Sequence, residues 1–418
     1  MAIQGLRDTS NFVTNARPEN WREMILLLYP NSAQAAKAPL TALTAAMKTR
    51  SVDDPVFHWW EKSLDDRRFA LHATSGDLDA PAAGTPQTLT LASGENAKTL
   101  VENDLLRVMQ TGEIMRVASD PTSDEAIPVV RGFAGTTPTA VDANGANINP
   151  YIMVVGSAYE EGSLAPSGVS YDPTEVYNYT QIFRKTMEIT NTAAKTRLRT
   201  GDQVKEARRE CLEYIGIDME RAFWFGKRST FTKNGKPGRT MNGIYNQMDS
   251  NNIYSFSNGQ VDMATLETRL ELLFRYGSNE KVAFCGNKAL SALSQVVRKN
   301  SHYHIEANVT EYGMKVTRLT TPFGELVFKA HPLFTQASGG TNGGGTSYYD
   351  MNTWVWILDM DNIGYVHMAD RDLKFQGDLE AVGQDAMKSG YLAECSVELH
   401  HASTHHLWKQ FDTGIVDL

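Results

Sequence analysis

The chain has 418 residues, 41% hydrophobic and 21% charged, with 32 Gly and 15 Pro; this excludes collagen-like, disordered and low-complexity classes and allows about two to four domains. Its 49 acids against 40 bases leave a formal charge of −9, which argues against a dedicated nucleic-acid binder but not against a protein that encloses DNA. The longest purely apolar run, Met24 to Tyr29, is far short of the roughly 18 to 20 residues that span a bilayer, and the start lacks a secretory signal, so no membrane span and a cytoplasmic origin are expected.

Residues 1 to about 60 read as an arm with entry helices: Pro18 opens a first turn, Trp21 to Tyr29 is amphipathic, and Pro30, Pro39 and Pro55 punctuate the rest. From about Leu89 to Pro166 the pattern predicts a β-rich lobe, with strands at Leu105–Gln110, Glu113–Ala118, Ile127–Gly132 and Tyr151–Tyr159 between Gly, Pro, Asn and Asp turns. The stretches Arg131-Gly-Phe-Ala-Gly-Thr-Thr-Pro and Asp142-Ala-Asn-Gly-Ala-Asn are predicted as exposed loops. A long strand over Tyr177–Thr190 follows. Thr200-Gly-Asp-Gln203 then fits a capping box, and Val204, Ala207, Cys211, Ile215, Met219, Ala222 and Phe225 recur at spacings of three and four. The spacing predicts a helix from Thr200 to Phe225, about 26 residues and roughly 39 Å long.

After a basic, Gly-rich turn at Lys233-Asn-Gly-Lys-Pro-Gly the elements alternate: helix Asp262–Tyr276, strand Lys281–Cys285, helix Asn287–Lys299, strands near Lys315–Thr320 and Glu325–Ala330. That is a mixed α/β lobe. The Gly- and Ser-rich run Ser338–Ser347 is expected to be a flexible excursion. Strands resume at Thr353–Leu358, Gly364–Met368 and Tyr391–Trp408, and no internal repeat is present.

Few motifs carry chemistry. Cys211, Cys285 and Cys395 lie too far apart for a CxxC metal pair and form no disulfide framework, so they read as reduced core residues. Gly235-Lys236 is followed by Pro237, which breaks a phosphate-binding loop. His304-Ile-Glu306 lacks the cysteine half of a zinc deaminase signature. His400, His401, His405 and His406 form the only histidine cluster; on a strand, 400 and 406 would share one face and 401 and 405 the other, a polar strand beside a subunit contact rather than a zinc site. Asn178-Tyr-Thr180 and Asn308-Val-Thr310 are sequons that read as strand and loop residues. Trp354 and Trp356, like Trp59-Trp60, read as core. Between Lys195 and Arg209, six bases (Lys195, Arg197, Arg199, Lys205, Arg208, Arg209) face Asp202 and Glu206, the only noticeable basic patch in this reading. No nucleophile, base and oxyanion donor assemble, so no enzyme, cofactor or metal is expected and the residues point to a structural protein.

The order of parts, namely arm, β-rich segment, long helix, α/β lobe and return strands, resembles the major capsid protein of tailed double-stranded DNA phages. Gly112-Glu-Ile-Met-Arg-Val, Val130-Arg-Gly-Phe-Ala-Gly-Thr, Tyr159-Glu-Glu-Gly-Ser163 and Asn178-Tyr-Thr-Gln-Ile-Phe183 look like a podophage and siphophage subgroup, across about 90 to 410. The resemblance implies an α+β fold of the HK-ninety-seven type. It divides the chain into an N-terminal arm at 1–60, an extended β loop and β-rich segment at 61–170, a peripheral domain with the long spine helix at 171–239, an axial α/β domain at 240–350, and a return to the peripheral domain at 351–418. It also implies self-assembly as pentamers and hexamers into an icosahedral shell around double-stranded DNA, with a separate scaffolding protein and a portal as partners; whether a decoration protein joins them stays open in the sequence. Lys205, Arg208 and Arg209 are then the candidate genome or scaffold contacts. No cleaved scaffolding region and no Lys–Asn self-crosslink are expected. An encapsulin-like compartment shell shares this fold and is the alternative reading. Whether 90–166 is a plain hairpin or an inserted β domain stays open in the sequence.

Overall fold

The computed structural model describes residues 49–62, 66–72, 81–140, 151–196, 202–256, 261–299, 305–311, 314–336 and 351–411. The arm before residue 49, Asp142–Asn147, Thr200 and the Ser338–Ser347 run lie outside the described residues. The chain divides into two compact units, Trp60–Glu175 and Met1–Trp59 with Val176–Leu418.

In the Trp60–Glu175 unit, period-two alternation gives six strands hydrogen-bonded in the order Arg68–Ala70, Tyr151–Ser157, Asp104–Val108, Ile114–Val117, Ala126–Val130 and Pro86–Thr90. The two end strands meet again. Leu71 bridges Leu91, and the Ala92 amide donates to the Ala70 carbonyl at 2.8 Å. The sheet therefore closes into a small barrel, which removes the free edges that would template mispairing. Phe69, Leu89, Leu106, Val108, Val117 and Ile127 fill it. The segment is an inserted β domain, not a plain hairpin.

The other unit carries a five-stranded and a seven-stranded sheet. One orders Thr49–Val52, Ile363–Met368, Ala386–Leu399 and Gln181–Thr190, with Lys374–Gln376 also paired to Ala386–Leu399. Every residue of Gln181–Thr190 pairs antiparallel with Ala386–Cys395. The helix Gln203–Phe225, 23 residues and about 35 Å long, packs on this ribbon through Ile215, Met219 and Phe223 against Phe183, Ala393 and Cys395.

The second sheet has seven strands in the order Ile253–Ser255, His406–Lys409, Val355–Leu358, Glu280–Cys285, Glu325–Ala330, Met314–Thr320 and Ile305–Glu311. Its central strands read as unbroken apolar runs because each face meets a different core. Val282, Phe284, Trp356 and Leu358 join the core under the long helix. Ala283, Cys285, Val355 and Ile357 join the core covered by the helices Met263–Leu273 and Asn287–Lys299. The architecture is α+β, as the sequence implied.

Several boundaries differ from expectation. The helix is capped by Asp202, whose carboxylate accepts from the Val204 and Lys205 amides, so it begins at Gln203 rather than Thr200. The expected strand Tyr177–Thr190 breaks at Thr180, whose amide donates to the Pro55 carbonyl instead of a ladder partner. Tyr391–Trp408 is two strands, Ala386–Leu399 and His406–Lys409, parted by His401 in a left-handed conformation (φ 50°) and a 3-10 turn at Ala402–Thr404. The edge strand Ile305–Glu311 has no counterpart among the expected elements, since Glu306, Asn308 and Glu311 weaken its β signal.

Candidate functional site

The long helix presents two contrasting faces. Cys211, Ile215, Met219, Phe223 and Trp224 are buried, while Ala222 and Phe225, expected on the buried stripe, are partly exposed and pack at its margin. Trp224 sits at the centre of an aromatic cluster, with ring centroids 4.9 Å from Trp356, 5.2 Å from Phe334 and 5.5 Å from Phe284. Its indole donates to Glu220 Oε1 at 3.1 Å, and the same oxygen lies 2.7 Å from His331 Nε2. Glu220 and His331 are both fully buried, a pairing that the apolar spacing of the helix gave no sign of.

Lys205, Arg208 and Arg209 lie in the first two turns of the helix, Lys205 one turn before the adjacent Arg208 and Arg209. Each already has a neighbour. Lys205 is exposed and lies 3.6 Å from Asp202, Arg209 lies 3.6 Å from Glu206 and 3.9 Å from Glu213, and the Arg208 guanidinium rests 4.2 Å from the Phe375 ring centroid. The helix thus brings the three candidate residues together, with a carboxylate within 4.0 Å of Lys205 and of Arg209. Arg197 and Arg199 lie outside the described residues.

The resembling motifs turn out to be structural joints. Arg131, expected in an exposed loop, is 1% exposed. It makes a two-pronged contact with Glu113: Nε donates to Oε1 and Nη2 to Oε2, both at 2.7 Å, while Nη1 reaches Gln87 and Nη2 the Thr139 carbonyl. Glu113 also accepts from the amides of Gly132 at 3.0 Å and Thr139 at 3.3 Å. Gly132 is left-handed (φ 67°), and a Cβ there would meet the Pro138 ring at 2.9 Å, so the loop is built to aim its amide at the carboxylate. The Gly112–Val117 and Val130–Thr136 motifs are thereby locked to each other.

The Asn178–Phe183 motif acts similarly. Buried Asn178 donates through Nδ2 to the carbonyls of Asn242 and Val397 and accepts from the Tyr179 and Asn242 amides. Its side chain is enclosed, so the sequon is a tertiary clasp. Thr180 Oγ1 donates to Glu394, which also receives the Arg371 guanidinium. Tyr159–Ser163, by contrast, is exposed throughout.

The histidine cluster does not share strand faces as expected, because the chain turns at His401. Buried His405 accepts the Asp359 amide on Nδ1, so Nε2 carries the proton and donates to the His400 carbonyl at 3.2 Å. Burial pushes His405 down to about 4 and His406 to about 3. Both are neutral at pH 7. Because the unfolded chain takes up these protons near pH 6.5 and the folded one far lower, stability falls as pH drops from about 6.5 towards 4. Melting curves across that window should show the fall, and His405→Asn should flatten it; an unchanged slope would contradict the assignment.

Nearby Lys281 is buried, and its ammonium donates to the carbonyls of Leu273, Tyr276 and Thr404 at 2.7 to 2.8 Å. It stitches the end of the Met263–Leu273 helix to the turn before His405. Burial lowers its pKa to about 8 despite the Asp359 charge. Among the described residues no group of three His, Cys, Asp or Glu is placed to hold a metal ion, and no helix is long and apolar enough to cross a membrane.

Known proteins speak to the whole chain. It is 28% identical over 380 residues to the major capsid protein of Pseudomonas phage PaMx41, covering 88% of this chain and 82% of that protein. Among solved structures it is similar to the capsid of the native GTA particle, with a TM-score of 0.48 and 8% identity over 96% of this chain and 97% of that one. It is also similar to the SrpI encapsulin of Synechococcus elongatus PCC 7942, with a TM-score of 0.40 and 10% identity over 58% and 77% of the two chains. The family described as SU10 major capsid protein matches residues 8–411. With a match that spans the barrel, the long helix and both sheets, the chain belongs to the SU10 major capsid protein family, whose members form the phage capsid shell.

Proposed function

We propose that the chain assembles as pentamers and hexamers into an icosahedral shell around a double-stranded DNA genome. The observation that carries this reading is the capsid-family match over residues 8–411. In it, 1–60 is the arm, 61–170 the extended segment holding the barrel, 171–239 with 351–418 the peripheral domain, and 240–350 the axial domain. A scaffolding protein and a portal are the partners, and assembly takes place in the host cytoplasm. The role is structural and not enzymatic. Burial raises the thiols of Cys285 and of Cys395, the latter to about 12, which suits core residues and not nucleophiles. Cryo-EM of particles should resolve fivefold and sixfold capsomers with DNA inside; shells filled with a protein cargo would contradict it.

Lys205, Arg208 and Arg209 contact the genome or the scaffold in this reading. Changing all three to Glu places them beside Asp202, Glu206 and Glu213 and should lower particle yield or DNA retention severalfold. Wild-type packaging by the triple variant, measured as DNA per purified particle, would remove the contact.

A further inference from the structure

The hairpin Ser229–Lys233 and Lys236–Thr240 turns on Asn234 and Gly235, both left-handed (φ 52° and 71°), the pairing that a tight two-residue hairpin turn requires. From Arg221 to Met248 the chain carries Arg221, Lys227, Arg228, Lys233, Lys236 and Arg239 with no Asp or Glu. This stretch is more one-signed than Lys195–Arg209, which the sequence pointed to first, because acids interrupt the latter. Arg228 is engaged, its guanidinium 3.7 Å from the Tyr177 ring centroid and donating to the Tyr177 carbonyl. Lys227, Lys233, Lys236 and Arg239 have no carboxylate within 4.0 Å among the described residues.

Strand register puts two of these cations together, while Arg239, opposite Thr230, is on the other face. Lys233 lies directly opposite Lys236, and Phe231 opposite Gly238. Opposed residues project from one face of a ribbon, so two ammonium groups and the half-exposed Phe231 ring share a surface. Like charges placed this way destabilise an isolated pair of strands, and no acid on the ribbon relieves them. The exposed Ser229 hydroxyl is on this same face, and exposed Thr230 and Thr232 are on the other with Arg239. Protein interfaces are poor in lysine at their centres and rich in apolar anchors. Lysine, arginine and small hydroxyls together are what phosphate oxygens recruit.

We infer that the 227–240 hairpin is a docking surface for the phosphate backbone of nucleic acid. This deepens the reading of a DNA-enclosing shell, and the test separates the two. The full chain is titrated with a labelled duplex of random sequence between about 50 and 200 mM salt, as wild type, as K233Q/K236Q and as K205Q/R208Q/R209Q. Assembly of each is followed by light scattering. Each cation on a phosphate contributes about 0.9 to the slope of log K against log salt, so the hairpin variant should lose a slope of about 1.8 while still assembling. An unchanged slope in that variant overturns the inference. A hairpin variant that binds duplex normally but fails to assemble overturns it too, in favour of an acidic face on a second copy. Failure of wild type to assemble both alone and with a candidate scaffolding protein counts against the shell reading, and the salt slope then still decides for or against the hairpin.

Discussion

Arg131→Met should destabilise the β-barrel by about 3 to 5 kcal/mol, because it strands the buried Glu113 carboxylate without its cation. Glu113 is 2% exposed and holds both prongs of the guanidinium. The paired change E113L/R131M should recover most of the loss, since a buried ion pair replaced by apolar groups of similar volume is often neutral or stabilising by about 1 to 4 kcal/mol. Denaturant unfolding of the two single variants and the double variant gives the coupling directly. Additive losses would show that the two groups do not act as a pair.

The same joint carries a pH signature. Burial works to raise the Glu113 pKa, but the Arg131 hydrogen bonds, the Gly132 amide, the Arg131 charge and the Thr139 amide outweigh it and hold the carboxyl below the ordinary 4.5. A depressed carboxylate contributes stability that is fully present above pH 4.5 and is lost as pH falls through the folded value. The barrel is therefore acid-sensitive in wild type, and less so in E113L/R131M.

Trp224→Ala is the second large effect, about 3 to 5 kcal/mol from emptying a core position occupied by the largest side chain. Trp224 is 1% exposed and meets the rings of Trp356, Phe334 and Phe284. A loss of that size is a large share of the roughly 5 to 15 kcal/mol that stabilises a domain, so soluble subunit and particle yield should both collapse. Trp224→Phe keeps an aromatic ring and loses the hydrogen bond to Glu220, for which about 1 to 2 kcal/mol is expected. Equal effects from the two substitutions would mean that the ring packing is not what matters.

What was legible in the sequence is what periodicity encodes. Asn287–Lys299 begins and ends where the amphipathic spacing placed it, and Glu280–Cys285 and Glu325–Ala330 fall within a residue of expectation. Helix and strand periods are local properties, so they survive without tertiary information. The buried charges were not legible. Glu113 and Arg131 lie 18 residues apart, and Glu220 and His331 lie 111 apart, with nothing in either spacing to mark them as partners. Gly132 and Phe133 look like turn residues, which hid that the loop beginning at Arg131 is pinned inward. Barrel closure was hidden for the same reason, since it rests on Leu71 meeting Leu91 across the ends of the sheet.

The candidate cations show the limit from the other side. Counting bases singled out Lys205, Arg208 and Arg209, but the helix places Asp202, Glu206 or an aromatic ring beside each. The hairpin cations read in the sequence as a basic, Gly-rich turn. Only the strand register shows that Lys233 and Lys236 oppose each other on one face.

A capsid subunit must build a shell, and negative-stain microscopy with light scattering, on the chain expressed alone and with a candidate scaffolding protein, reads that property without an intermediary. Closed shells or capsomer rings are expected in at least one of the two preparations. A well-behaved 46.4 kDa monomer in both would be incompatible with shell building.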